Sequence, residues 1–147
     1  CVRENQDQEP HVIHIIRTHV TKRQEEEMLE MKDWTTIQTR FLRDSLPVRL
    51  GGLAANLSRI RSFACHDANQ NVTESLIAES KLFIEWTAPE AEVETAASLV
   101  ELQIQLAVWH RDWARIWPNR ERRSQIAEQS GAWANRILEM SGLLVGD

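Results

Sequence analysis

The sequence predicts an all-α, up-and-down bundle of four to five helices, and three observations carry that prediction. Apolar residues recur at spacings of three and four along most of the chain. Helix start and stop signals punctuate it at regular intervals. A single β-branched run, His11 to Val20, would pass locally for a strand, yet no second run exists to pair with it and a lone strand has no ladder.

The 147 residues, 42% of them hydrophobic, with five Gly and four Pro, are enough chain for one core. Residues 1–9 are polar and charged and are expected to form a flexible tail, leaving 10–147 as a single helical domain. Val12, Ile13, Ile16 and Val20 fit one helix face, strong helix formers follow, and Trp34, Ile37, Gln38, Phe41 and Leu42 continue the spacing. One helix from about 11 to 44, with a bend or break near Asp33, accounts for all of them.

Ser45-Leu46-Pro47 is a cap followed by a proline tolerated in the first turn. Leu46, Leu50, Leu53, Leu57, Ile60 and Ala64 then form a tight seam, with Arg49, Arg59 and Arg61 on the polar edge. Gly51 and Gly52 each cost about 1 kcal/mol relative to Ala inside a helix, so a close neighbour is expected there. Cys65 to Gln70 reads as a loop, and Asn71-Val72-Thr73-Glu74 has capping-box spacing for a helix over about 72–86.

Thr87-Ala88-Pro89-Glu90 has the residues of another capping box. It opens the element expected to sit at the centre of the bundle, one long helix over about 88–117 that ends before Pro118. Two apolar stripes run along it. Val93, Ala97, Val100, Ile104 and Val108 form one; Leu99, Leu102, Leu106, Trp109, Trp113 and Ile116 form the other. A surface helix needs one stripe, so two imply neighbours on both sides. The last helix is expected to end at Ser141, with Ile126, Ser130, Trp133, Ile137 and Met140 facing in and Gly142 terminating it.

The most distinctive segment for function is Trp109 to Arg123. Trp109, Trp113 and Trp117 lie four residues apart, and Arg111, Arg115, Arg120, Arg122 and Arg123 outnumber Asp112 and Glu121 beside them. Trp and Arg are the types enriched at interface hot spots, and the local positive field suits an acidic partner surface. The competing reading packs the indoles inside and leaves the arginines to favour a helix C-terminus. A tryptophan stripe at helical spacing usually packs inside, yet six Trp without a Tyr, and fourteen Arg against three Lys, suit an interface, because Arg stacks on aromatics and pairs bidentately where Lys does not. Residues 65–105, with one Lys against eight Asp or Glu, complement the arginine-rich stretches 49–61 and 111–123 in sign, within or between chains.

The expectation is therefore a non-enzymatic interaction or scaffold bundle that binds a protein partner or itself, as a homodimer for instance. The alternative is a bundle whose tryptophans line an apolar cavity for a small molecule, with His110 or His66 as the polar contact. The weakest alternative is an enzyme using Cys65 and His66, because consecutive residues rarely point at one another. No cofactor motif is present. His11, His14 and His19 lack companions at ligand spacing, so no metal site is expected.

A net charge of −5 argues against generic nucleic-acid binding. No apolar run approaches the roughly eighteen residues of a membrane span, and no signal peptide is visible. Two cysteines do not make a disulfide framework, which favours a reduced compartment and a cytoplasmic location. The chain opens on Cys1, so the start is expected to have been removed; a lipid-modified Cys1 is a minor alternative. The triplets at Asn56 and Asn71 match the N-glycosylation pattern without weight in a cytosolic protein.

Overall fold

In a computed structural model of the protein, residues 34–143 are described, and they form six α-helices with no strand among them. Residues 34–43 belong to one compact unit and residues 44–143 to another. Helix α1 spans 34–43 in the first unit, with Thr39 Oγ1 donating back to the Thr35 carbonyl at 2.9 Å and Phe41 buried. The rest of the long helix expected over 11–44, including His11, His14 and His19, lies outside the described residues.

Helix α2 (Leu46–Phe63) begins where the Ser-x-Pro signal places it. Ser45 is the extended N-cap and Pro47 sits in the first turn, although the Ser45 hydroxyl makes no capping bond. Leu50, Leu53, Leu57, Ile60 and Ala64 are buried, so the Leu/Ile seam is the core stripe it was read to be. Each fully buried aliphatic side chain contributes about 1.5–3 kcal/mol. This helix packs on both the next long helix and the last one, which makes it the most central element of the unit.

After α2, a 3-10 turn (Asp67–Asn69) leads into α3 (Gln70–Thr87). The helix starts earlier than the Asn71 capping box implies. Asn71 is an exposed residue of the first turn, and Asn69 takes the cap position, its Nδ2 donating to the Phe63 carbonyl at 3.2 Å. Inside α3 the hydroxyl of Thr73 donates to the Asn69 carbonyl at 2.7 Å, and Ile77, Phe83 and Ile84 are buried.

The Thr87 capping box does not form either. Thr87 is still in helical conformation at the end of α3 (φ −104°, ψ −39°), so its hydroxyl cannot turn onto the next helix. A 3-10 turn (Ala88–Glu90) follows, and α4 (Val93–Arg111) starts from Glu92, later than the expected 88. The helical path is interrupted once, at Asp112 (φ −98°, ψ 13°), before the short α5 (Trp113–Ile116). The Asp112 carbonyl accepts from both Arg115 and Ile116, restarting the helix.

Helix α6 (Arg120–Ser141) is capped as its sequence dictates. Asn119 Oδ1 accepts from the Arg122 N–H at 3.1 Å, and Gly142 takes the left-handed conformation (φ 80°) past the C-terminus. Trp133 Nε1 donates to Gln105 Oε1 at 2.7 Å and Arg136 Nη2 to Ser98 Oγ at 3.1 Å, joining α6 to α4. The arrangement is an all-α bundle, with α2 against α3 and α6, and α4 packed on α3 and bonded to α6. The close approach predicted at the glycines is real but comes from beyond the last helix: a Cβ on Gly51 would meet Leu143 Cδ1 at 2.8 Å. Among the described residues no helix is long and apolar enough to cross a membrane.

Candidate partner-binding site

Two buried arginines fix the connections around α4. The Arg49 guanidinium, expected on a polar edge, is buried. It donates from Nε to the Asp44 carbonyl at 3.0 Å and from Nη1 and Nη2 to the two Glu90 carboxylate oxygens at 2.9 and 3.2 Å. Glu90, read as half of a capping box, is spent on this fork, and the Arg49 hydrogen bonds hold its carboxyl below the usual carboxylate range. The 3-10 turn ahead of α4 is thereby tied to the start of α2.

The second arginine is Arg123. Its Nη2 donates to Asp67 Oδ1 at 2.6 Å and its guanidinium lies 4.7 Å from the centre of the Trp117 ring. Nε and Nη1 are sealed from solvent without a hydrogen-bond partner, so the stack on Trp117 carries that side of the cation. The Arg123 hydrogen bond lowers the Asp67 pKa. In both places the arginine-rich and acidic stretches meet within the chain.

The sequence-predicted residues divide between inside and outside. Trp109, Trp113, Trp117 and Arg123 are buried, with exposures of 6, 3, 6 and 5%, so the indoles are not an outer surface. Trp113 and Trp117 are 5.2 Å apart and donate their Nε1–H to the carbonyls of Gln70 and Asp67, each at 3.1 Å. They pin the turn between α2 and α3. Arg111, Arg115, Arg120 and Arg122 are exposed. Arg111 pairs with its neighbour Asp112 at 3.0 and 3.1 Å, which raises the arginine pKa and lowers that of the carboxyl.

The second stripe of α4 stands largely exposed, against the expectation of packing on both sides. Val93, Val100, Ile104 and Val108 are 86, 52, 61 and 37% exposed, and Ala97 is exposed with them. At 3.6 residues per turn this ridge lies roughly opposite Leu99, Leu102 and Leu106, each 0% exposed. Arg111 continues the ridge at its C-terminal end, and Glu94 and Glu101 border it. The sequence held the residues of this surface but not its exposure. Its β-branched and Ala composition, thinner than the Leu/Trp stripe, is the signal that separates the two.

The other candidate chemistry is not assembled. Cys65 is half-buried and disulfide-bonded, so it offers no thiolate beside His66. That runs against the expectation of reduced thiols as far as Cys65 is concerned. His110 lies on the α3–α4 face, 3.3 Å from Lys81 Nζ and 3.5 Å from Glu74. Among the described residues no group of three His, Cys, Asp or Glu is arranged to hold a metal ion. Asn56, within one glycosylation-like triplet, is buried and donates to Glu79 Oε1 at 2.9 Å. No family model, curated protein or solved structure matches this chain.

Proposed function

We propose that this chain is a non-enzymatic interaction module that binds a protein through the outer ridge of α4 and the arginines at its C-terminal end. The observation that carries the reading is the contrast within one helix: Leu99, Leu102 and Leu106 are fully buried while Val100 and Ile104 stand more than half exposed. One apolar stripe is enough to dock a helix on its own core. A second contiguous stripe left in water adds nothing to the fold, and such patches mark contact surfaces.

Arg111 and Arg115, exposed at and just beyond the C-terminal end of the ridge, give that end a positive sign. An acidic partner surface is its natural complement, since rim charges set encounter rate and register. The buried tryptophans serve this surface indirectly, by anchoring the helix end that presents the arginines.

The test is a photo-cross-linking residue placed at Ile104, compared with one at the exposed Gln125 on α6. One adduct of discrete mass from position 104 alone, diminished by Arg111→Glu with Arg115→Glu, is the expected result. Equal labelling from both positions, or none, would remove the reading.

A further inference from the structure

We infer that the occupant of the α4 ridge is a second copy of this chain, the two α4 helices lying antiparallel. The inference rests on the reading of this ridge as a docking face and names what docks there.

Charge distribution along α4 carries it. The exposed residues at the start of the helix are acidic, Glu92 and Glu94, with Glu101 near the middle; at and beyond its end Arg111, which also pairs with Asp112, and Arg115 leave a net positive charge. A parallel pairing sets like charge on like at both ends. An antiparallel pairing sets each acidic end on a basic end, twice by symmetry, and an isologous contact repeats every pair.

The apolar positions suit the same register. With the two-fold axis near residue 102, Ile104 faces the partner's Val100, Ala107 the partner's Ala97, and Arg111 lies alongside the partner's Val93 and Glu94. The ridge from Val93 to Val108 is about 22 Å long at about 1.5 Å per residue. Ala97 and Ala107 keep its flanks low enough for the helix axes to approach to about 8–10 Å.

Light scattering on the full chain across micromolar concentrations tests this. Wild type is expected at twice the 17.0 kDa chain mass. Ile104→Asp is expected at the chain mass, with unchanged helical circular dichroism, because position 104 is exposed in the single chain. Glu94→Arg and Arg111→Glu are each expected to weaken association about tenfold, and the double variant to recover most of that loss.

A wild type that stays monomeric, or a dimer indifferent to Ile104→Asp, overturns the inference; a double variant weaker than both single ones overturns the antiparallel register. The cross-linker at position 104 separates this failure from that of the docking reading. A discrete adduct with a different protein retains the docking face and removes self-pairing. An adduct of unchanged mass, mapping to residues 1–33 of the same chain, removes both.

Discussion

The two seams of α4 are made of similar residues and do opposite things. Leu99, Leu102, Leu106 and Trp109 are sealed against the bundle, whereas Val93, Val100, Ile104 and Val108 face outward from the same cylinder. Hydrophobicity alone therefore does not decide which seam is core. The buried seam holds Leu and Trp, whose long side chains span the gap to α3; the outer one holds short β-branched side chains between acidic and basic ends. An apolar stripe flanked by charges of opposite sign at its two ends fits a contact between molecules better than one within.

The largest expected effect is on the buried seam. Leu99→Ala removes a fully buried side chain and leaves a cavity, which costs about 2–5 kcal/mol. Urea denaturation in the monomeric Ile104→Asp background measures it free of any association. A loss below 1 kcal/mol would mean that Leu99 is not core and that the seams are misassigned.

Next come the two arginines that hold the ends of α4. Arg49 uses all of its guanidinium nitrogens on Glu90 and the Asp44 carbonyl, whereas Arg123 leaves Nε and Nη1 unpaired beneath solvent. Replacing a buried charge by an apolar side chain of similar length is often tolerated when the charge was poorly satisfied. Arg49→Met is therefore expected to lower the urea midpoint more than Arg123→Met. The reverse order would show that the stack of Arg123 on Trp117 outweighs its missing hydrogen bonds.

The same clasps give stability a pH dependence of known sign. Hydrogen bonds from Arg123 and Arg49 hold the folded pKa values of Asp67 and Glu90 below their unfolded ones. The contribution is thus complete above the unfolded values, near pH 4, and is lost as pH falls through the folded ones. Asp67→Asn with Glu90→Gln is expected to lower stability at pH 7 and to shrink the difference between the pH 7 and pH 3 urea midpoints. An unchanged difference would place the acid sensitivity elsewhere.

How far the sequence reaches is clear from particular residues. Ser45-x-Pro47 and Gly142 mark true helix ends, and the seam from Leu50 to Ile60 is buried as its spacing implies. Those signals act within one turn of helix, where local chemistry dominates. Thr87 and Asn71 have equally good local chemistry and fail, because the neighbouring residues are already helical and Glu90 finds a stronger partner 41 residues away in Arg49. The Trp109 to Arg123 segment is a different case. Its composition marks it as unusual, and the spacing that puts Trp109 and Trp113 on the stripe of Leu99 and Leu106 is what turns the indoles in while Arg115 and Arg120 stay exposed.

The smallest expected effect is the most informative about the outer seam. Val100 is adjacent to Leu99 in sequence, yet it is 52% exposed where Leu99 is 0%. In the monomeric Ile104→Asp background, Val100→Ala removes little buried surface and replaces a β-branched residue by the best helix former. The substitution is expected to leave stability unchanged or to raise it by up to about 0.5 kcal/mol. In the wild-type background the same change is expected to weaken self-association, since it trims the side chain that would meet the partner's Ile104 in the proposed antiparallel pairing. Neighbouring truncations that differ in sign on the monomer, with only the outer one felt by the dimer, would separate folding from binding on a single helix. A loss above 1 kcal/mol in the monomer would instead show that Val100 is covered by the chain's own residues, and the outer seam would then belong to the core.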